Sequence, residues 1–461
     1  MTTITYKSNK FKVNPYEIRI GMIGNVDSGK STLTGVLTEN ILDDGRGLAR
    51  KVVLKHPHEQ ESGRTSSISQ NYVRDMNLVR ENNTKEIILD SFANLDCLIK
   101  NDGKICKEYE NCIINEKSTI FVDLAGHEKY LKTTIKGINR CFIDYACVLV
   151  GSNKGLQSKD GSSNMSMEHL NISISLKIPT FIVMSKIDIT PPTVYDYNLN
   201  KLIKTLEKKT KGKRKPIVIN NDDDLKIITN SFVDGDYTTY IPIFPMSSVT
   251  AKGLPILRKF VDYLPSYNNF EFLKNETPDF IVSSRYNITG VGTVLAGFMR
   301  SGTINKGDTL QIGPFNKQFY NIQIKNIHNN FSENVDKLEA GQSGSFNIKI
   351  SSKVKLKIRS GLHITLNKDL YSKFDANVMI LQHPTTIFKN YEALIHCGSV
   401  SQVAKIINIK TLDGKDCLKL GDRAKVSFIF KQHPEFIQPN TRMVFREGRA
   451  KGIGEIICVY N

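Results

Sequence analysis

The residues from Gly24 to Ser31 read GNVDSGKS, with glycine at the first and sixth places and Lys-Ser closing the run. Glycines at that spacing let successive backbone N–H groups turn toward one point, which suits a chain of phosphates. Gly24, Asn25, Val26, Asp27, Ser28 and Gly29 form the cradle, with Thr32 just beyond it. Lys30 sets a cation against the β- and γ-phosphates, and Ser31 offers a hydroxyl to Mg²⁺. Downstream, VDLAGHEKY gathers Asp123, Gly126 and His127. A carboxylate at Asp123 can hold Mg²⁺ through water, and the Gly126 N–H can meet the γ-phosphate. MSKID then offers Asp188, whose carboxylate accepts from guanine N1–H and N2–H₂, a donor pair that adenine lacks. The stem of Lys186 can lie over the nucleotide. In PMSSVTAKG, backbone N–H groups around Ser247, Ser248 and Val249 can donate to guanine O6. The four clusters in this order imply binding of GTP and GDP with Mg²⁺, and Asp188 argues against ATP. Asp27, inside the loop, has two open readings: a monovalent-cation ligand near the β–γ bridge, or a side chain that shapes the loop.

These residues need elements to hold them. EIRIGMI, from Glu17 to Ile23, reads as a buried strand running into the glycine loop, and TLTGVLTEN behind it has helical spacing. STIFVDLAG, YACVLVG and PTFIVMSKID read as further strands, so each polar cluster follows a strand end. That is where ligands bind in a doubly wound sheet. The expected fold is an α/β phosphate-loop domain over 1–270 with a mostly parallel, doubly wound sheet. Two stretches interrupt it. Leu42 to Cys112 reads as polar and irregular. LIKTLEKKTKGKRKPIVINNDDD reads as a lysine-rich helix end followed by an acidic turn, either a solvated surface or an RNA contact. From Asp279 the pattern becomes short β runs between Gly, Asn and Asp turns. This predicts two antiparallel β-barrels, over 275–368 and 370–461, with NKDLYSKFD as the linker.

The totals bound the partners. The chain has 461 residues, room for about two to four domains. No apolar run is long enough for a membrane span. The polar start, MTTITYKSNKFKVNPYE, does not read as a signal peptide. A cytoplasmic monomer is expected. Cys97, Cys106 and Cys112 are close in sequence but lack zinc-ligand spacing. The net charge of +17 fits a polyanionic partner such as RNA, or simply a lysine-rich surface.

Taken together, the chain resembles translational GTPases of the elongation factor Tu and elongation factor 1-alpha superfamily. LDDGRGLAR, HEQESGRTSSIS, FPMSSVT, HPTTI, ALIHCGSV and VFREGRAKGIGEI are similar to the branch of GTP-binding proteins one and two. The likeness runs from about Pro15 to Tyr460. It implies a GTP hydrolase acting as a switch on the ribosome or tRNA. The alternative it leaves is a GTP-regulated RNA-binding adaptor working with RNA-decay machinery. It further implies that Thr65 closes on Mg²⁺ and γ-phosphate, and that His127 positions the attacking water once a partner orders it. Lys30, Thr65 and His127 are then the catalytic set, and Ser31, Thr65 and Asp123 the metal set. Two positions depart from the family pattern. Ser185 replaces the Asn of Asn-Lys-x-Asp and is too short to join base and phosphate loop, which predicts weaker nucleotide binding with selectivity kept by Asp188. Arg64 stands where elongation factor Tu has an isoleucine. That removes an apolar gate beside Val26 and offers a cation to phosphate or ribosomal RNA.

Overall fold

The computed structural model describes residues 13–54, 59, 65, 69–80, 112–127, 134, 137, 141–156, 165–210, 212–265, 267, 270–315, 317–350, 356–382, 385–411, 414–447 and 450–461. Arg64, Cys97 and Cys106 lie outside these residues.

The first unit is built on β1 (Val13–Gly24), β2 (Ser69–Arg80), β3 (Cys112–Asp123), β4 (Tyr145–Gly151), β5 (Thr180–Ser185), β6 (Lys215–Val218) and β7 (Tyr240–Pro245). They form one sheet in the order β2-β3-β1-β4-β5-β7-β6. Every pairing is parallel except that of β2 with β3. The central strands β4 and β5 are buried along their whole length, as strands covered on both faces must be.

Alternate residues feed two cores. Val148 and Val150 join Leu170 and Ile172 of α3 (Met165–Ser175) and Leu202 and Leu206 of α4 (Pro192–Thr210). Cys147 and Leu149 join Leu33 of α1 (Lys30–Glu39), Ile228 and Phe232 of α5 (Asp222–Val233), and Leu257 and Phe260 of α6 (Leu254–Tyr263). Helices therefore cover both faces, and the doubly wound expectation holds. A short helix, α2 (Leu48–Val53), packs beside α1.

Two expectations need correction. The stretch from Leu42 to Cys112 is not irregular throughout: it contains α2 and the twelve-residue β2. β2 is an edge strand, where polar residues such as Gln70, Asn71 and the exposed Tyr72 are tolerated, so its sequence lacks a strong alternating signal. The acidic turn is also more than a turn. Asp222, Asp223 and Asp224 are the first turn of α5, where carboxylates complement the helix dipole. The Asn221 side chain caps that helix by accepting from the Asp224 N–H at 2.9 Å.

Two closed barrels follow. In the first, Thr309–Phe315, His363–Thr365, Asp279–Ile288, Gly292–Ser301, Ser343–Ile350 and Gln318–Asn329 pair in turn, and the last pairs back on the first. In the second the circuit is Lys373–Gln382, Arg423–Phe430, Val400–Thr411, Glu392–Cys397, Arg442–Glu447 and Ala450–Tyr460. Phe280 and Phe346 pack inside the first barrel, and Phe374, Phe428 and Phe445 inside the second.

Buried polar groups join the units. Arg19 of β1 donates to Glu17 Oε2 at 2.6 Å and to Ser343 Oγ of the first barrel at 2.6 Å. The Ser343 N–H returns a bond to Glu17 Oε1 at 2.7 Å, and the Arg19 guanidinium lies 3.6 Å over the Phe298 ring. Between the barrels, His363 bridges Asp279 and Ser399.

Candidate nucleotide site

The register of the sheet brings the four polar clusters to one edge. Met22 lies beside Asp123, Gly24 beside Leu149, Gly151 beside Ser185 and Met184 beside Pro245. The strands thus end together, and the loops after them share one rim.

The phosphate loop is clamped from behind by side chains that sequence reasoning missed. The Gly24 N–H donates to Nδ1 of the buried His169 at 3.1 Å, and the Asn25 N–H donates to Ser166 Oγ at 2.8 Å. Both partners lie on α3, far along the chain, with no spacing signal tying them to the loop. Lys30 Nζ donates to the Asn25 carbonyl at 2.8 Å, and Ser28 Oγ donates to the same oxygen at 2.8 Å. Asp27 takes a left-handed conformation with φ 61°. Its Oδ2 lies 4.0 Å from Lys154 Nζ.

Ser31, Thr65 and Asp123 converge as expected of a shared metal site. Ser31 Oγ donates to Asp123 Oδ2 at 2.6 Å and lies 2.8 Å from Thr65 Oγ1, which itself donates to Asp123 Oδ2 at 3.0 Å. Asp123 Oδ1 is buried and has no hydrogen-bond partner among the described residues. A hard cation or its bound water satisfies such an oxygen, and hydroxyl and carboxylate donors suit Mg²⁺. The residues present therefore fit that ion. Burial pushes the Asp123 carboxyl up, opposed by the Lys30 charge and the two hydroxyls. Burial likewise pushes the Lys30 ammonium down, opposed by Asp123 and Asp27. Both charges are costly here unless a phosphate and a divalent cation join them.

Gly126 presses on the loop so closely that a Cβ there would strike Lys30 Nζ and the Gly24 carbonyl. No other residue fits. His127 follows it, exposed, and lines one cavity with Val26, Asp27, Gly29, Lys30, Ser31, Thr32, Thr65 and Gly126. Arg50 of α2 lines the same cavity and was not singled out from sequence, although it lies within the quoted LDDGRGLAR.

At the base-reading end, the structure changes the picture of Ser185. Its hydroxyl donates to the Ser28 carbonyl at 2.7 Å, so the loop side of the bridge is made by serine itself. The Ser185 carbonyl accepts from both the N–H and Oγ of Ser152, at 2.9 and 2.8 Å, which fixes the turn into Lys186. Lys186 has φ 64° and is half-buried. Burial lowers its ammonium pKa, Asp27 opposes, and Lys154 and Arg50 add to the lowering. Asp188, two residues on, is exposed. In the last loop, the Ser247 N–H donates to the Lys252 carbonyl at 2.9 Å, so this amide is taken. The Val249 and Thr250 N–H groups both donate to Ser247 Oγ at 3.1 Å. The Ser248 carbonyl accepts from the Asp43 N–H at 2.9 Å.

A glycine loop, a Ser31–Thr65–Asp123 triangle and the exposed Asp188 carboxylate thus lie at one sheet edge, and two barrels follow. The elongation factor Tu GTP binding domain family matches residues 16–266, and the chain belongs to that family. It is 36% identical over 445 residues to GTP-binding protein 1 of Xenopus laevis, a match covering 95% of this chain and 63% of that protein. It is 34% identical to GTP-binding protein 2 of Homo sapiens, covering 96% and 69% respectively. The chain thus spans under two thirds of the frog relative's length. Its fold is similar to the Saccharomyces cerevisiae Ski7 GTPase-like domain bound to GTP, with TM-score 0.63 at 14% identity over 96% of this chain and 98% of that one. Among the described residues, no helix is long and apolar enough to cross a membrane, and no cluster of three His, Cys, Asp or Glu side chains could hold a metal.

Proposed function

We propose that the chain binds GTP and GDP with Mg²⁺, hydrolyses GTP to GDP and phosphate, and acts as a translation-factor-type switch on ribosomal RNA or tRNA. The observation carrying this reading is the Ser31–Thr65–Asp123 triangle beside Lys30, in a cavity that also holds His127. Phosphoryl transfer asks a protein for positioning and charge stabilisation rather than covalent help. Lys30 and the loop amides hold the phosphates. Ser31 and Thr65 would hold Mg²⁺, with Asp123 behind water, and the ion would neutralise charge on the phosphate oxygens. His127 orients the attacking water from the open side of the cavity. Lys186, Asp188 and the Ser248 N–H read guanine. A monovalent cation at Asp27 fits less well, because the Lys154 ammonium already stands at 4.0 Å. Thr65, touching both Ser31 and Asp123, would respond to the nucleotide and ion held there.

A second reading is a GTP-regulated RNA-binding or mRNA-turnover adaptor that uses the same nucleotide site. The net charge of +17 suits an RNA partner in either case. GTP turnover with and without ribosomes, and with and without charged tRNA, separates the two. Acceleration by ribosomes supports the elongation-like role. No acceleration, with an RNA-decay complex co-purifying, supports the adaptor.

A further inference from the structure

We infer that Arg50 is a nucleotide-binding residue that holds the diphosphate portion of the ligand from the side opposite the phosphate loop. The inference deepens the nucleotide-binding reading and rests on it. Arg50 is half-buried and lines the cavity with Asp27, Gly29, Lys30 and Thr32.

The segment before it is built to fix its place. Asp43 is tied to the base-reading loop through its N–H on the Ser248 carbonyl at 2.9 Å. Asp43 Oδ1 accepts from the Ala49 N–H at 3.0 Å, and Asp44 Oδ1 accepts from the Arg46 and Leu48 N–H groups at 2.8 and 3.1 Å. These bonds start α2, whose buried Ala49 packs with Val36 of α1 and Leu254 of α6. Gly47 has φ 97°, and a Cβ there would strike the Arg50 guanidinium. Glycine thus both makes the turn and leaves room for that side chain.

The electrostatics agree with the placement. Arg50 and Lys154 both disfavour the charged form of Lys186, so three cations converge on one rim, with Lys30 in the cavity below. Gathering like charges is unfavourable until a polyanion arrives between them. The planar guanidinium suits two phosphate oxygens at once, where a lysine is only a point charge. The tie of its segment to the Ser248 carbonyl, in the loop proposed to read the base, places it toward the α- and β-phosphates. Gly126 and His127 occupy the γ-phosphate end. An arginine so placed grips GDP and GTP alike.

The test is the dissociation constant of GDP and of GTP for the wild-type chain, Arg50→Ala and Arg50→Lys, at two salt concentrations. Arg50→Ala should weaken both nucleotides by about tenfold or more, as expected for loss of a charge-assisted contact, with a shallower salt dependence. Arg50→Lys should recover part of the loss. Equal GDP affinity for Arg50→Ala and wild type overturns the inference. So does a loss confined to GTP hydrolysis with GDP binding intact, which would move Arg50 to the γ-phosphate end. Lack of GDP binding by the wild-type chain overturns the nucleotide reading itself. An unchanged thermal midpoint of nucleotide-free Arg50→Ala separates lost contact from lost fold.

Discussion

Ser185 Oγ donates to the Ser28 carbonyl at 2.7 Å, joining the end of β5 to the phosphate loop across the nucleotide site. A hydroxyl here makes the loop half of the bridge that the family resemblance gives to an asparagine amide. Serine reaches because the two loops are close: a Cβ on Gly29 would lie 3.9 Å from Ser185 Oγ. We expect Ser185→Ala to weaken GDP and GTP binding together by about fivefold, the worth of about 1 kcal/mol for one hydrogen bond. Equilibrium titration with both nucleotides checks it. Unchanged affinities would show that the loop does not need this tie.

His127 is exposed at the mouth of the cavity that holds Lys30, Ser31 and Thr65. In the proposed arrangement it orients water rather than holding phosphate, so its loss should spare binding. His127→Ala is expected to keep GDP affinity and to lose partner-stimulated turnover by about 10²–10⁴-fold, the usual worth of a positioned acid–base group. Single-turnover hydrolysis at saturating GTP reads this directly. Equal stimulated rates would remove His127 from the mechanism.

What the sequence shows of this site is what lies contiguous in it. GNVDSGKS, VDLAG and MSKID each place chemistry within a few residues of a strand end, so their spacing alone implies a shared rim. Their supports were not legible, because they come from distant segments. Ser166 and His169 hold the Gly24 and Asn25 amides from a helix more than a hundred residues away, through single side chains that leave no spacing pattern. The fold follows the same division. YACVLVG reads directly as β4 because a strand buried on both faces is one apolar run. β2 is hidden because an edge strand carries polar residues, and Asp222 to Asp224 read as a turn because a capped helix start is acidic. Ser185 shows the limit of judging by side-chain length alone: reach depends on loop separation, which only the fold sets.

Arg19 and Glu17 join the nucleotide-binding unit to the first barrel through Ser343, and both are nearly excluded from solvent. Burial pushes the Glu17 carboxyl up, while Arg19 and the Ser343 bonds oppose it. Removing the arginine leaves that carboxyl buried beside an emptied contact over Phe298. We expect Arg19→Met to destabilise the chain by about 3–5 kcal/mol, and adding Glu17→Gln to restore much of it. Thermal unfolding of the single and double variants measures the coupling. Additive effects would show that the pair does not act as a unit.

Asp279 and His363 carry the matching junction between the barrels, and here the pH response has a defined sign. Asp279 is 1% exposed; its Oδ1 lies 2.7 Å from His363 Nδ1, and its Oδ2 pairs with Arg300 Nε at 2.7 Å. Burial pushes its carboxyl up, but the His363 and Arg300 charges and the His363 hydrogen bond outweigh burial and hold it at about 2. The unfolded value is about 3.9, so the folded state favours the ionised form. Its stabilisation is fully present above about pH 4 and is lost as pH falls toward 2, amounting to about 2–3 kcal/mol. His363 Nε2 carries the contact on to Ser399 Oγ of the second barrel at 3.0 Å. Asp279→Asn should therefore lower stability at neutral pH and flatten the acid limb of the stability curve. Ser399→Ala should cost only the hydrogen bond across the junction and leave that limb intact, because the carboxylate keeps both of its partners. Denaturant unfolding between pH 2 and pH 7 distinguishes them; an acid limb unchanged in Asp279→Asn would assign the proton uptake to another carboxylate.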